Sequence, residues 1–74
     1  MSKNTEISEF VKSMRKKVDL TQAQLSERAG VGLRFIREME QGKQTLQMDK
    51  VNQVLFLFGH KLGTVKINAG DENE

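Results

Sequence analysis

The 74-residue chain contains no cysteine and only one histidine, His60. Disulfides and thiolate metal sites are therefore excluded, and the usual zinc ligand sets cannot be assembled. The longest apolar run, residues 54–58, is far shorter than the roughly 20 residues that span a bilayer. The N-terminal stretch MSKNTEISEF has no apolar segment of a secretory signal. We therefore expect a cytoplasmic protein with no cofactor, no metal ion and no place in a membrane.

The sequence also lacks the patterns that accompany catalysis. It has no glycine-rich phosphate loop and no acidic cluster with metal-ligand spacing. Three serines lie on predicted helices with no histidine nearby in the sequence: Ser8, Ser13 and Ser26. His60 follows a predicted helix end, where a histidine is usually a solvent-exposed charge. We therefore expect that the protein is not an enzyme.

The charges are nearly balanced in number but unevenly placed. Twelve basic and ten acidic residues give a net charge of +2. Three of the acidic residues lie in the last four positions, so the rest of the chain carries 12 basic against 7 acidic residues, or +5. Cations cluster at residues 15–17 and again at Arg34, Arg37 and Lys43. Such clusters are usually a solvated helix face, but they also fit a nucleic-acid partner.

The first predicted helix carries one apolar stripe. Apolar residues recur at i, i+3, i+4, i+7 and i+11, the spacing of a single helical face: Ile7, Phe10, Val11, Met14 and Val18. Asn4 or Thr5 is suited to cap its start. Asp19 tolerates a left-handed backbone and marks its end.

Three shorter helices are predicted to follow. The second spans residues 22–29, begins with a T-x-x-Q capping box and stops at Gly30. The third runs from its N-cap Gly32 to about residue 41, where Gly42 ends it. The fourth spans residues 48–58. Together the four segments predict a small helical bundle.

The third predicted helix divides its faces between the core and cations. At about 100° per residue from Leu33, Ile36 and Met39 fall around a core direction near 270°. Arg34 and Arg37 fall near 100° and 40° and face away from the core. The helix therefore presents cations outward at its N-terminal end.

Phe35 and Glu38 can also be assigned to the two faces of this helix. Phe35 falls about 40° from Met39, so we interpret it as a flank of the core rather than a base-stacking platform. Glu38, near 140°, shares the outward face. An α-helix with outward cations fits the major groove, where arginine can bond guanine through two hydrogen bonds. The N-terminal amides of the preceding helix suit phosphate, which completes a helix-turn-helix arrangement.

The segment from Leu20 to Lys43 carries the pattern L-T-Q-x-x-L-x-x-x-A-G-V…I-x-x-x-E-x-G-K. It resembles the XRE-type (Cro/cI-like) helix-turn-helix family of DNA-binding regulators, over about residues 7–58. The resemblance implies an all-α, lambda-repressor-like bundle of four main helices. It also implies a nucleoid-associated repressor that binds a palindromic double-stranded DNA operator as a homodimer.

The resemblance assigns roles to residues of this chain. Base contacts fall to the outward face of the third helix: Leu33, Arg34, Arg37 and Glu38. Phosphate contacts are implied at both ends of the motif, by Thr21, Gln22, Gln41 and Lys43, and a base edge is the alternative contact for Gln22. Arg15 and Glu40 stand where many members have an internal ion pair between the first and third helices. If both were simply exposed, such a pair would contribute little to stability.

The chain departs from the family pattern at four positions. Asp19 stands where the family often has glycine, and Gly32 replaces a more usual serine or threonine. Leu33 and Arg34 replace the commoner polar amides. No operator sequence can therefore be transferred from other members.

Residues 51–67, V-x-x-V-L-x-x-F-G-H-K-L-G-T-V-K-I, resemble the HipB-type antitoxins within this family. Those are short DNA-binding partners of HipA-like kinase toxins and dimerise partly through a small C-terminal strand. The resemblance implies a type II toxin–antitoxin pair that autoregulates its operon. Two alternatives stay open: a phage- or plasmid-type XRE repressor without a toxin, and a protein-binding adaptor that retains the fold.

The C-terminal part of the chain predicts a dimer. Phe56 and Leu57 lie about 140° and 240° from Val51 on the fourth helix, away from the core, and such exposed apolar groups favour a partner. Alternating residues predict a short strand at residues 61–67, which would pair across a two-fold axis. The expected interface is Phe56, Leu57, Leu62, Val65 and Ile67. Residues 1–67 form the expected domain, and residues 68–74 a disordered acidic tail.

Overall fold

Four α-helices account for most of the structure. The computed structural model describes residues 5–66, and within them the helices are α1 (Glu6–Lys17), α2 (Gln22–Ala29), α3 (Leu33–Glu40) and α4 (Met48–Leu57). All four predicted helices are confirmed, with ends close to the predicted ones. None of the helices in residues 5–66 combines the length and the apolar content needed to cross a bilayer.

Reciprocal side-chain caps begin α1 and α2. Thr5 Oγ1 accepts from the Ser8 backbone N–H at 3.0 Å, and Ser8 Oγ accepts from the Thr5 N–H at 2.8 Å. Thr21 and Gln24 make the same exchange at 3.1 and 2.9 Å. Each box satisfies two backbone donors near a helix start that would otherwise lack a protein partner. The predicted capping box before α2 is therefore confirmed.

Left-handed backbone follows each helix. Asp19 has φ 62°, and Gly30, Gly42 and Gly59 have φ of 74°, 89° and 74°. Gly30 is the C-cap of α2, and its N–H donates to the Ser26 carbonyl at 3.0 Å. Because a Cβ is unfavourable at this φ, glycine permits the sharp turn that leads directly into α3.

The core lies between the four helices. α3 packs against both α1 and α2, and α2 also packs against α4. The buried apolar side chains are Val11, Leu20, Leu25, Ile36, Met39, Val51, Val54 and Leu55. Phe35 is half-buried against this core, as its position on the helical wheel predicts. One face of α3 is therefore held in the core, which leaves the opposite face outward.

Val18 does not belong to the apolar stripe of α1. The helix ends at Lys17, and Val18 is its C-cap. Because the backbone leaves the helical path there, the side chain turns away from the core and is 49% exposed. The other four residues of the stripe are buried or half-buried.

The predicted C-terminal strand is not found. No β-strand occurs in residues 5–66, and residues 61–66 have no regular secondary structure. A strand needs a neighbouring strand for its backbone hydrogen bonds, and this part of the chain supplies none. Instead the Leu62 N–H donates to Asn52 Oδ1 at 2.7 Å, which ties the segment to α4. Ile67 and the predicted tail, residues 68–74, lie outside the described residues.

Candidate nucleic-acid interface

The turn between α2 and α3 is tied to α4. Gln53 of α4 donates from Nε2 to the carbonyls of Ala29 and Gly30 at 3.2 and 3.4 Å. These bonds tie the end of α2 to α4. Sequence reasoning missed Gln53, because an exposed amide on a helix gives no sign of its partner. At the start of α3, the N-cap Gly32 has no side chain, so no side-chain hydrogen bond caps this helix.

The outward face of α3 carries all four residues predicted to contact bases. The Arg34 side chain is 91% exposed, and Arg37 is exposed three residues further along the helix. Leu33 is half-buried at the helix start, and Glu38 is half-buried near its end. This face therefore combines two long cations, one carboxylate and one apolar side chain.

Glu38 joins two of the predicted DNA-contact residues. Its Oε2 lies 3.3 Å from Arg34 Nε, and its Oε1 lies 3.3 Å from Lys43 Nζ. The hydrogen bond from Lys43, more than that from Arg34, holds the pKa of Glu38 below its ordinary value, against a smaller opposing effect of burial. The i, i+4 spacing of Arg34 and Glu38 is a sequence signal for the first pair. Among residues 5–66, Arg37 takes part in no ion pair.

A buried ion pair connects α1 with the end of α3. Arg15 Nε lies 2.7 Å from Glu40 Oε2, and Arg15 Nη2 lies 3.0 Å from Glu40 Oε1. Arg15 Nη1 also donates to the Leu20 carbonyl at 2.8 Å. Glu40 is only 3% exposed and the Arg15 side chain 14%, so this is not a surface pair. The hydrogen bonds with Glu40 raise the pKa of Arg15 above its ordinary value.

The start of α2 meets the end of α3 through the same carboxylate. Gln22 Nε2 donates to Glu40 Oε1 at 3.1 Å. Gln41 follows directly as the exposed C-cap of α3, and Lys43 lies two residues further on. Three of the four residues predicted to hold phosphate are thus brought to one edge of the motif. Thr21, the fourth, uses its hydroxyl oxygen to cap α2.

This geometry agrees with a family-level similarity. Residues 11–55, more than half of the chain, match the family described as helix-turn-helix (HTH_3). The chain belongs to this XRE-type helix-turn-helix family. It is also 48% identical over 54 residues to y4mF of Sinorhizobium fredii, named an uncharacterised HTH-type transcriptional regulator, and the match covers 73% of this chain and 71% of that protein.

In this helix-turn-helix protein, α3 occupies the position of the recognition helix and α2 precedes it. The matched residues include α2, α3 and the turn between them. The outward cations of α3 and the N-terminal end of α2 therefore lie on the elements that meet nucleic acid in a helix-turn-helix.

The helix-turn-helix protein also exposes apolar side chains on α4 and beyond it. Phe56 is 60% exposed, Leu57 41% and Val65 83%. Leu62 differs from these, because it is half-buried against the core of its own chain. Phe56 and Leu57 are consecutive near the end of α4 and together form one exposed apolar patch.

Proposed function

We propose that this protein is a sequence-specific DNA-binding transcriptional repressor. The observation that carries the proposal is the division of α3. Ile36 and Met39 hold one face in the core, while Arg34 and Arg37 extend from the other. The relative in Sinorhizobium fredii, named a transcriptional regulator, supports a regulatory role. Binding to chromosomal DNA implies a cytoplasmic, nucleoid-associated location.

The outward face of α3 offers contacts of different kinds in the major groove. Arg34 and Arg37 are suited to bond guanine O6 and N7, and Glu38 to accept from the N4 amino group of cytosine. Leu33 is suited to pack against a thymine methyl group. These four residues would therefore read base edges.

The edge formed by the start of α2 and the end of α3 would hold the DNA backbone. The N-terminal amides of α2 carry a partial positive charge. The Gln22 amide nitrogen has a second hydrogen besides the one directed at Glu40, and that hydrogen can reach a phosphate oxygen. Thr21, Gln41 and Lys43 would add contacts on the same side. Such contacts position the protein without reading sequence.

A homodimer would present two recognition helices to a palindromic operator. Phe56 and Leu57 would supply the apolar patch for this contact, together with the exposed Val65 and the half-buried Leu62. Two-fold symmetry in the protein predicts two half-sites one helical turn, about 34–36 Å, apart or a multiple of that distance.

Selection from a library of random DNA duplexes tests this function directly. We expect enrichment of a motif with two inverted half-sites, centred about 10–10.5 base pairs apart or a multiple of that. Failure of any sequence to be enriched would contradict the proposal. It would also favour the alternative in which the protein is an adaptor that contacts other proteins.

We further propose that the repressor is the antitoxin of a HipA/HipB-like pair and controls its own operon. The support is the resemblance of residues 51–67 to HipB-type antitoxins. A HipA-like kinase toxin would then bind a surface that leaves α3 free. Co-purification with the untagged product of the neighbouring gene, with and without operator DNA, tests this step. If no kinase co-purifies, the antitoxin role is contradicted and the alternative of a repressor without a toxin is favoured.

A further inference from the structure

The carboxylate of Glu38 lies between two cations of the proposed DNA-binding face, Arg34 and Lys43. One of its oxygens lies 3.3 Å from Arg34 Nε and the other 3.3 Å from Lys43 Nζ. These cations are assigned different tasks in the proposed function, base reading and phosphate holding. In the free protein both are paired with the same anion.

We propose that Glu38 is a specificity-determining residue that competes with DNA phosphate for Arg34 and Lys43 and so suppresses binding to non-cognate sequences. The inference rests on the proposed DNA-binding function. A carboxylate and a phosphate offer the same kind of anionic oxygen to a cation. Non-specific binding depends on contacts between protein cations and DNA phosphates. A carboxylate that already pairs with two of these cations therefore weakens non-specific binding.

Glu38 also opposes non-cognate DNA by its own charge. Its side chain is 27% exposed, so it remains on the surface that approaches the phosphates. When Arg34 and Lys43 turn to the DNA, the carboxylate loses its partners and faces a polyanion. Specificity can be built from repulsion against the wrong partner as well as from contacts with the right one.

A cognate sequence removes this penalty through its base edges. Cytosine presents an N4 amino group in the major groove, and a carboxylate can accept from it. Arg34, released from Glu38, can then bond guanine. Base contacts replace the Arg34–Glu38 ion pair only where the DNA sequence places both a cytosine and a guanine within reach. The charge of Glu38 therefore penalises random DNA more than the operator.

The test compares Glu38→Gln with the wild type on the selected duplex and on a random duplex, across a range of salt concentrations. We expect Glu38→Gln to bind random DNA about 3–10-fold more tightly, with a salt slope steeper by about one, because cations are released to phosphate. The ratio of cognate to random affinity should fall. Glu9→Gln is the matched control, since it removes the same charge from an exposed position on α1.

The outcomes separate the inference from the function on which it rests. If Glu38→Gln changes random-DNA affinity no more than Glu9→Gln does, or weakens both duplexes equally, Glu38 is not a discriminator. If the wild type binds neither duplex, the proposed function fails instead. Circular dichroism must show both variants folded like the wild type.

Discussion

At the scale of single residues, Glu40 of α3 connects three helices. Its carboxylate accepts from Arg15 on α1 and from Gln22 at the start of α2. The helix-turn-helix motif is thereby joined to α1 through one buried anion. An anion so buried is favourable only while its partners are present.

Glu40→Gln should therefore destabilise the fold. It leaves the Arg15 guanidinium without its charged partner, and breaking a buried pair in this way costs about 3–5 kcal/mol. We expect the lower end of that range, because the Arg15 side chain keeps 14% exposure to solvent. Urea unfolding measures the change. Glu27→Gln, at an exposed position on α2, is the control and should stay within about 0.5 kcal/mol of the wild type.

The pKa of Glu38 gives a second prediction at this scale. Lys43 is the largest cause of its lowered pKa and Arg34 a smaller one. Lys43→Ala should therefore raise the pKa of Glu38 toward its ordinary value, and Arg34→Ala should raise it less. NMR titration of the side-chain carboxyl measures both shifts. An unchanged pKa in Lys43→Ala would show that the pair does not form in solution.

The lowered pKa of Glu38 also determines how this carboxyl affects the stability of the fold as the pH changes. A carboxyl whose pKa is lower in the folded than in the unfolded state stabilises the fold above its unfolded pKa. This stabilisation is lost as the pH falls through the folded pKa. Since both ion pairs lie at the surface, the stability change is small, and the titration is the sensitive measurement.

At the scale of elements, one face of α3 packs in the core and the opposite face is exposed to solvent. Ile36 is fully buried, whereas Arg37, its neighbour in sequence, is exposed. Ile36→Ala should lower the free energy of unfolding by about 2–5 kcal/mol through the lost burial and the cavity left behind. Arg37→Ala should leave it within about 0.5 kcal/mol. Thermal and urea unfolding distinguish the two, and equal effects would contradict the assigned faces.

The helices could be predicted because their signals are local. The T-x-x-Q box before α2 and the glycine at its end lie within a few residues of the structure they produce. The C-terminal segment could not be predicted in this way, because the alternation of apolar and polar residues in 61–66 does not reveal whether a neighbouring strand exists. Asn52 instead ties this segment to α4.

Contacts between elements were the least predictable part of the site. The positions of Arg15 and Glu40 followed from a family resemblance, but their burial did not. The bonds from Gln22 to Glu40 and from Gln53 to the α2–α3 turn join residues 18 and 23–24 positions apart. Such bonds depend on how the helices pack, and no spacing within one helix encodes them.

At the scale of the whole molecule, the patch of Phe56 and Leu57 predicts self-association. A chain of this size buries only about 60% of its unfolded surface and gains from a partner. Leu57→Asp places a charge in the proposed interface and should give monomers, while the wild type sediments as a dimer at micromolar concentration. Lys50→Asp, at an exposed position on α4, is the control and should leave the dimer intact. A monomeric wild type would contradict the proposed interface.

In the proposed function, different residues of this small domain read base edges and hold phosphates. Arg34 lies on the outward face of α3, and Lys43 follows the end of that helix. Contacts to bases discriminate between sequences, whereas contacts to phosphate add salt-dependent affinity for all of them. Removing the Arg34 side chain should therefore reduce sequence specificity, whereas removing the Lys43 side chain should reduce affinity for all sequences.

The most direct measurement is the affinity of Arg34→Ala and Lys43→Ala for the selected duplex and for random DNA across a salt series. Arg34→Ala should cost about 1–3 kcal/mol on the selected duplex and much less on random DNA. Lys43→Ala should weaken both similarly and lower the salt slope by about one per site. Circular dichroism must show both variants folded. Equal losses on the two duplexes for Arg34→Ala would mean that this arginine holds phosphate only, and would contradict the division of the interface.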